Sequence, residues 1–427
     1  MHFYKDIKIF FAMLSSKQVF YIFVLLIIMI FSGLLELIAI ASVLPFIGLI
    51  TQPEIINNDN YFLIKYILNK FNVNSDNVIN LFATIFIIFF IFSNIFIAIT
   101  QSLIIFTTNR VEKITIEKLF SYYLYEKYIF HIDKNSALLI KNIEKEVSRF
   151  ADAVFYQFLE IISKGIITIF IICGLMFVDF KSTSIIIGSL IIIYGLLVFL
   201  IKKIFLIYGT TISDSYNSRI KIINESLSGI KLLKFYNIEN FFANIFKKIN
   251  EILYITILKY RVISVWPKYI IESLLVVTII SVVVYSINYI PNYIELIPTA
   301  TFFLLAGYRL LPVLQTIFNN FGSIRVNAAA WISIRDDLNK NNNSLKLNKT
   351  DRGLIKFDKY IKMKNISFHY DKNLNVLKDV SIKIEKNKII GITGVSGSGK
   401  TTLIDILSGL LDIQEGKIIV DDLIINQ

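Results

Sequence analysis

Residues Val19–Ile50 read VFYIFVLLIIMIFSGLLELIAIASVLPFIGLI and contain one charged side chain, that of Glu36. The hydrocarbon core of a bilayer is about 30 Å thick, so a helix needs about 20 apolar residues to cross it. The stretch therefore predicts a membrane-spanning helix. It is too long for the apolar region of a secretory signal peptide and has no small-residue cleavage site, so we expect the helix to be retained.

The composition of the whole chain agrees with an integral membrane protein. Of its 427 residues, 55% are hydrophobic and 18% are charged, whereas charged residues make up about 25% of an average soluble domain. The single cysteine, Cys173, lies within an apolar run, which excludes a disulfide scaffold. The net charge of +12 fits lysines and arginines gathered in cytoplasmic loops, and we expect no nucleic-acid partner.

The chain contains six apolar blocks, each long enough to span a bilayer. They are Val19–Ile50, Val78–Thr107, Ala153–Val178, Ser182–Leu206, Val262–Ile287 and Ile297–Asn319. Between them, residues 108–152 and 207–261 are charged, with apolar residues recurring every three or four positions, which predicts two long helical extensions. Residues Phe3–Leu14 are amphipathic and predict a helix along the inner membrane surface; a frayed tail is the alternative.

The distribution of lysine and arginine predicts the orientation in the membrane. From the N-terminus onward, the polar segments carry 3, 2, 8, 1, 10 and 0 of these residues, where the 10 includes Lys202 and Lys203 at the trailing edge of the fourth block. Because the segments rich in positive charge face the cytoplasm, both termini and both long extensions are predicted to be cytoplasmic. This organisation corresponds to a multi-pass protein of the bacterial inner membrane.

After the last block the composition changes to that of an α/β region. Residues 1–338 form the predicted membrane domain, residues 339–353 are polar and aperiodic like a linker, and residues 354–427 form the predicted tail domain. Within the tail, four short runs favour strands and one favours a helix. The strand runs are Ile361–Phe368, Val380–Ile384, Lys388–Thr393 and Lys417–Val420, and the helical run is Lys400–Leu411.

The residues between the third predicted strand and the helix match G-x-x-x-x-G-K-[ST], a phosphate-binding loop. They are Gly394, Val395, Ser396, Gly397, Ser398, Gly399, Lys400, Thr401 and Thr402. The glycines let backbone N–H groups point at phosphate oxygens, and the helix N-terminus adds a partial positive charge. We expect Lys400 to contact the β- and γ-phosphates and the Thr401 hydroxyl to ligate Mg²⁺. The motif predicts binding of ATP or GTP.

Tyr370 follows the first predicted strand of the tail, in the run ISFHYD. An aromatic ring in this position can stack on a nucleotide base, since every base has a π-face. The alternative is ordinary packing of an aromatic side chain at the end of a strand.

Six membrane helices, two cytoplasmic extensions and a C-terminal phosphate-binding loop together resemble an ABC exporter half-transporter. In the tail the resemblance rests on FHYDKNLNVLKDVSIKIEKNKIIGITGVSGSGKTTLIDILSGLLDIQEGKIIVDD. The resemblance implies an ATP-hydrolysing homodimer with ATP and Mg²⁺ as ligands, and it implies that Tyr370 stacks on adenine. By position, Lys134–Val147 and Glu225–Phe242 correspond to the two coupling helices, which dock on the ATPase domains.

Three stretches of the membrane domain resemble the flippases for lipid-linked oligosaccharides in bacterial protein glycosylation. They are LLELIAIASVLPFIGLI in the first block, VWPKYIIESLL in the fifth and YRLLP in the sixth. This resemblance implies an amphipathic substrate, a polyprenyl-pyrophosphate oligosaccharide, and contact with membrane lipids. A lipid A-type flippase and a peptide or multidrug exporter are alternatives within the same class.

In the family that the chain resembles, the ATPase domain continues through a Q-loop, an LSGGQ-type signature, a Walker B motif and a switch histidine. The sequence ends at Gln427, before these motifs. We therefore expect residues 354–427 to form an incomplete α/β P-loop nucleotide-binding domain that supplies no catalytic residue and does not hydrolyse ATP alone. The alternative from another class is a truncated membrane protein that has a partial nucleotide site and transports nothing.

Arg309 lies near mid-depth of the sixth block, where an ionisable residue is costly and usually functional. One interpretation is that Arg309 faces the cavity of the bundle and binds the pyrophosphate of a lipid carrier, with Lys268 assisting at the cytoplasmic entrance. The other interpretation is an internal ion pair of Arg309 with Glu36 or Glu272. The sequence leaves both open.

Overall fold

The computed structural model describes residues 16–51, 78–289, 296–344, 356–370 and 375–425. The predicted amphipathic segment Phe3–Leu14 and residues 345–353 of the predicted linker lie outside this part of the chain. The chain divides into two compact units, and each is described by itself. Unit 1 consists of Met1–Thr115 and Lys145–Arg335, and unit 2 consists of Ile116–Glu144 and Asp336–Gln427.

The helices and strands of the described residues are numbered here in chain order. The helices are α1 Ser16–Ala41, α2 Val43–Thr51, α3 Val78–Tyr125, α4 Tyr128–Asp133, α5 Ser136–Lys141, α6 Val147–Phe150, α7 Tyr156–Val178, α8 Phe180–Ser228, α9 Ile230–Tyr236, α10 Glu239–Tyr289, α11 Leu296–Ser344 and α12 Lys400–Leu407. Two π-helical turns, Asn142–Glu146 and Ala151–Phe155, flank α6. The strands are β1 Tyr360–His369, β2 Asn375–Glu385, β3 Glu415–Val420 and β4 Leu423–Ile425.

The helical membrane domain predicted from the sequence is confirmed. Five helical stretches in the described residues are long and apolar enough to cross a membrane, and they contain the first four predicted blocks and the sixth. The fifth block lies in α10. Helices α3, α8, α10 and α11 have 48 to 51 residues. At about 1.5 Å per residue, each is about 70 Å long and exceeds the bilayer core, as the predicted extensions require.

The core of unit 1 contains a cluster where α1, α2, α7 and α11 meet. Its buried members are Ile40, Val43, Ile167, Ile171, Leu175, Phe302, Ala306 and Leu310. Lipid tails are as apolar as these side chains, so close packing and van der Waals contact stabilise such a cluster more than the exclusion of water does. Small residues at helix contacts are therefore important.

Gly209 allows α8 and α11 to approach each other at the level of their backbones. A Cβ atom added at Gly209 would lie 2.6 Å from the carbonyl oxygen of Val326 and 2.9 Å from its Cα. Val326 is buried in a second cluster, with Phe205, Ile212 and Leu253. A backbone neighbour cannot move aside as the end of a flexible side chain can, so this position requires glycine.

Two long helices contain proline inside their spans. Pro267 lies in α10 and Pro312 lies in α11. A proline within a helix has no N–H for the carbonyl four residues earlier, so it weakens the helix locally and permits a bend.

In unit 2 the four strands form one antiparallel sheet in the order β2-β1-β3-β4. Helix α12 contributes Leu403 and Ile406 to a buried cluster with residues of β1 and β2. The other buried members of this cluster are Met363, Ile366, Phe368, Leu377 and Leu411. This cluster, called the tail core below, fixes the helix that follows the phosphate-binding loop.

The start of β1 is fastened to the turn between β3 and β4 by Asp421. Its carboxylate accepts hydrogen bonds of 2.7–2.8 Å from the backbone N–H groups of Asp358, Lys359 and Tyr360. These donors, that of Asp358 foremost, hold the pKa of the Asp421 carboxyl below its ordinary value. The stabilisation by Asp421 is therefore present above the ordinary carboxyl pKa and is lost as the pH falls through the lowered one.

Several elements of the linker and the tail differ from the prediction, among them β4, which was not predicted. Residues Lys388–Thr393 form no strand, because they pair with none of the four described strands, and Ile389 and Ile392 are exposed. Helix α12 ends at Leu407 rather than Leu411, since Gly409 adopts a positive φ of 73° there. Residues 339–344, predicted to begin the linker, continue α11.

The contact at Gly209 is tested by a pair of glycine substitutions in the same helix. We expect Gly209→Ala to lower the stability by about 1–3 kcal/mol, because the methyl group overlaps the backbone of α11. Gly195→Ala is the matched control, since no atom lies within 4 Å of a Cβ at that position, and it should gain about 1 kcal/mol from helix propensity. Thermal unfolding of the purified chain in detergent measures both; equal midpoints would contradict the close approach.

Candidate nucleotide-binding site

The predicted phosphate-binding loop leads directly into α12. Gly397 and Gly399 have φ values of 81° and 86°, in the left-handed region that glycine adopts without strain. A Cβ at Gly399 would also lie 2.9 Å from Leu377 Cδ2 and 3.0 Å from the carbonyl oxygen of Val376. Position 399 thus requires glycine for two reasons, the positive φ and the lack of room for a Cβ atom. These requirements explain why glycine stands directly before the lysine of the motif.

Lys400 is held by the loop that it ends. Its ammonium group donates hydrogen bonds of 2.8 Å to the carbonyl oxygens of Gly394 and Val395. The positive charge therefore lies over the loop, beside the N-terminus of α12, whose own dipole favours an anion. Residues 394–398 are exposed, so a phosphate group has access to this charge.

The two threonines after Lys400 have different environments. Thr402 is buried, and its hydroxyl lies 3.1 Å from the Tyr370 hydroxyl, whereas Thr401 is exposed. In the described residues, no group of three or more His, Cys, Asp or Glu side chains is arranged to hold a metal ion. The Thr401 hydroxyl and the phosphates of a nucleotide would supply oxygen ligands, which Mg²⁺ prefers.

Tyr370 is placed next to the loop by two contacts. Besides the hydrogen bond with Thr402, its ring packs edge-on against Phe368 with centroids 5.0 Å apart. The ring remains 40% exposed. The structure thus brings Tyr370 and Thr402 together, and stacking on adenine stays a prediction.

The short helix α4 contacts the tail core. Ile129 of α4 packs against that core, and Lys127 forms an ion pair of 2.5 Å with Asp412, just after α12. These contacting residues lie earlier in the chain than Lys134–Val147, the segment predicted to be the first docking helix. The signal that would have located them is the apolar run YIFHI between the charged residues Lys127 and Asp133.

The end of α11 contacts the loop around α4 through a buried carboxylate. Asp337 accepts hydrogen bonds from the Tyr123 hydroxyl at 2.9 Å and from the Lys134 ammonium at 3.0 Å. Asn142 donates in turn to the Tyr123 hydroxyl at 3.2 Å. The Asp337 side chain is 8% exposed and that of Lys134 is 34% exposed. We call these four residues the loop latch; sequence periodicity gave no sign of it.

In unit 1, Arg309 lies beside Glu36, with its Nε 3.0 Å from Glu36 Oε1. Ser93 donates a hydrogen bond to the other oxygen of Glu36. The guanidinium also donates to Asn94 Oδ1 at 3.3 and 3.4 Å, and it lies 4.5 Å from the centre of the Phe90 ring. Of the two predicted acidic partners, the structure selects Glu36.

Lys268, the second predicted substrate residue, is on α10. Its ammonium lies 5.5 Å from the centre of the neighbouring Tyr269 ring. Among the described residues, no hydrogen bond or ion pair joins Lys268 to Arg309. The structure therefore does not bring the two cations into direct contact.

A second polar cluster in unit 1 surrounds Glu160, which the sequence predicts as a structural partner able to pair with Lys164. Glu160 accepts hydrogen bonds from Asn320 at 2.9 Å and from Gln101 at 3.2 Å, and Gln101 also contacts the Tyr156 hydroxyl. Amide side chains within apolar blocks are a signal for such clusters, because each needs a partner inside the bundle.

The fold and the site define a polytopic membrane protein with a phosphate-binding loop on its C-terminal tail. A family model for the ABC transporter transmembrane region matches residues 60–307, and a model described as ABC transporter matches residues 377–427. The chain belongs to the ABC transporter family.

Individual relatives are distant over the membrane domain. The ATP-dependent lipid A-core flippase of Pseudoalteromonas atlantica is 25% identical over 316 residues, 72% of this chain and 52% of the flippase. A multidrug resistance-like ATP-binding protein of Buchnera aphidicola is 26% identical over 317 residues, with the same two shares of 72% and 52%. The chain thus spans about half the length of these two relatives.

The tail has closer relatives over a shorter stretch. The methionine import ATP-binding protein of Clostridioides difficile is 50% identical over 62 residues, 14% of this chain and 19% of that protein. This similarity supports the assignment of the tail to the ABC ATPase family.

Substitutions at Tyr370 separate stacking from hydrogen bonding. We expect Tyr370→Ala to weaken binding of Mg-ATP by about 1–3 kcal/mol, because the ring is lost. Tyr370→Phe keeps the ring and loses only the hydroxyl that contacts Thr402, so its affinity should stay near that of the parent. Lys400→Ala is the reference for a damaged phosphate site. Equilibrium binding of a fluorescent ATP analogue to the purified chain measures all three; equal affinities of Tyr370→Ala and the parent would exclude stacking.

Two lysines that flank α4, Lys127 and Lys134, differ in the burial of their partners. Lys134→Met leaves the buried Asp337 without its cation and should destabilise unit 2 by about 1–3 kcal/mol. Lys127→Met is the matched control, because Lys127 and Asp412 are 73% and 46% exposed and such pairs contribute about 1 kcal/mol or less. Protease resistance of the tail during thermal unfolding reports both changes. A larger effect of Lys127→Met would contradict the loop latch.

Proposed function

We propose that this chain is a subunit of an ATP-driven exporter that moves an amphipathic lipid across the bacterial inner membrane. The observation that carries the proposal is the contact of α4 with the tail core. Through Ile129, a loop that continues from the membrane helix α3 packs on the same core as Leu403 and Ile406 of α12. Movement of the nucleotide-binding helix is thereby transmitted to that loop.

The proposed transporter is a homodimer. Helix α9, at the tip of the second cytoplasmic extension, exposes the apolar side chains of Leu232, Phe235 and Tyr236 by 61%, 75% and 65%. Apolar side chains of this size at a cytoplasmic tip favour a docking surface. Since α4 already occupies a place on the tail core of its own chain, we assign α9 to the ATPase domain of a second copy.

The proposed substrate is a polyprenyl-pyrophosphate oligosaccharide. An arginine in an apolar bundle is suited to a pyrophosphate, because its planar guanidinium binds two oxygens at once. Arg309 is assigned to the pyrophosphate, and Lys268 is assigned to the cytoplasmic entrance of the pathway. A lipid A-type lipid and apolar drugs are the alternative substrates, because the relatives include a lipid A-core flippase and a multidrug resistance-like protein.

The nucleotide in this proposal is ATP with Mg²⁺. Gly394–Thr402 would hold the phosphates, with Lys400 at the β- and γ-phosphates and Thr401 at the metal. When bound, the nucleotide supplies the energy of phosphoryl transfer to water. The residues of the chain bind and orient it, and Tyr370 would cover the base.

The test is transport by the complete product of the gene that carries this sequence, reconstituted in proteoliposomes. We expect ATP-dependent translocation of a fluorescent polyprenyl-pyrophosphate glycolipid, and its loss in Lys400→Ala. Lipid A and an apolar dye are the comparison substrates. Transport of only the dye would overturn the proposed substrate, and nucleotide binding without transport of any of the three would favour a non-transporting protein.

The role of Arg309 as a ligand is tested in the same vesicles. Arg309→Gln should reduce glycolipid translocation at least tenfold while ATP binding stays unchanged, because the cation is lost from the bundle and not from the nucleotide site. Unchanged translocation by Arg309→Gln would restrict Arg309 to a structural role.

A further inference from the structure

The partners of Arg309 hold its guanidinium loosely. Its Nε lies 3.0 Å from Glu36 Oε1, but its N–H is not directed at that oxygen and makes no hydrogen bond. Both terminal nitrogens share the single oxygen of Asn94, at 3.3 and 3.4 Å. Strong arginine–carboxylate pairs have two parallel N–H···O bonds of about 2.7–2.9 Å. The pair with Glu36 lacks this geometry.

The two sides of the cluster also differ in access. The side chain of Glu36 is 2% exposed and that of Arg309 is 19% exposed. Ser93 is fully buried behind Glu36, whereas Asn94 is exposed. The Phe90 ring supports the face of the guanidinium, which leaves its edge as the accessible donor surface. The side of the guanidinium that contacts the exposed Asn94 is therefore its more accessible side.

We infer that Glu36 is a specificity-determining residue that competes with the anionic headgroup of the substrate for Arg309. This inference rests on the proposed function. In the unloaded transporter Glu36 neutralises the arginine; in the loaded one the headgroup takes the guanidinium edge, and Glu36 retains the hydrogen bond from Ser93. The two interpretations of Arg309 drawn from the sequence, ligand and ion-pair partner, then describe two states of one site.

The competition sets a lower limit on the charge of the substrate. When a headgroup takes Arg309, the buried carboxylate of Glu36 loses its cation, which is costly. A neutral headgroup has no charge with which to attract Arg309, so its binding does not offset this cost. A monophosphate offers less charge than a pyrophosphate and fewer oxygens to the guanidinium. Glu36 thus selects pyrophosphoryl lipids, because lipids with a weaker negative charge cannot displace it from Arg309. The specificity arises from a penalty on the wrong substrates.

The first measurement does not depend on the substrate. Phenylglyoxal modifies accessible guanidinium groups, and mass spectrometry of the peptide containing Arg309 gives the rate in the full chain embedded in nanodiscs. We expect Glu36→Gln to raise this rate several-fold, since the carboxylate no longer holds the guanidinium. Glu160→Gln is the matched control, because the described partners of Glu160 are amides. An unchanged rate in Glu36→Gln would overturn the inference.

The second measurement uses undecaprenyl pyrophosphate as the probe, with undecaprenyl phosphate and undecaprenol for comparison. We expect undecaprenyl pyrophosphate to protect Arg309 from phenylglyoxal, and the protecting concentration to be about tenfold lower in Glu36→Gln than in the parent. The ratio between the protecting concentrations of the monophosphate and the pyrophosphate should be smaller in Glu36→Gln. Equal protection in both proteins would overturn the competition. A faster rate in Glu36→Gln with no protection by any probe would instead overturn the proposed substrate and leave Glu36 as the shield of Arg309.

A conservative variant guards against loss of folding in Glu36→Gln. Glu36→Asp keeps the negative charge and draws the carboxylate back by one methylene group. We expect its modification rate to lie between those of the parent and Glu36→Gln. A rate in Glu36→Asp below that of the parent would contradict the shielding geometry.

Discussion

The lack of water in the hydrocarbon core of the membrane is the constraint on which unit 1 depends. Every backbone N–H and C=O there needs a partner within the chain, so the apolar blocks become helices. The same constraint applies to side chains. Glu36 finds Ser93 and Arg309, and Glu160 finds Asn320 and Gln101. Polar residues that lie far apart in the sequence are thus drawn into a few clusters, and these clusters specify which helices meet.

Features encoded by a local pattern were predictable from the sequence. The six blocks follow from runs of apolar residues, and the conformation of the phosphate-binding loop follows from glycines at Gly397 and Gly399. Features that depend on a partner were not. An apolar run such as Lys388–Thr393 has the composition of a strand, but only a neighbouring strand can pair with it. Likewise, the sequence offered two acidic partners for Arg309, and only the packing of three helices selects Glu36.

Unit 2 joins the loop around α4 to a tail that follows about 200 residues later in the sequence. The joint has two parts on either side of α4. At Lys127 the ion pair is exposed and contributes little to stability, while Ile129 supplies apolar contact with the tail core. At Lys134 the carboxylate of Asp337 is buried and needs its partners. The contact of Lys127 and Ile129 with the nucleotide-binding region is therefore the more easily altered of the two. The contact of Lys134 with Asp337 at the end of α11 is the more stable one.

Pro312 inside α11 affects the direction in which the charged side chain of Arg309 points. Pro312 offers no N–H to the carbonyl of Tyr308, the residue immediately before Arg309. A helix can pivot at such a point without breaking a backbone hydrogen bond, because that bond is already absent. Because Arg309 lies next to this point, a bend of the helix there changes the direction of its side chain while its Cα atom moves little. A rotation of one half of α11 about this point would therefore turn the Arg309 side chain from one oxygen ligand toward another.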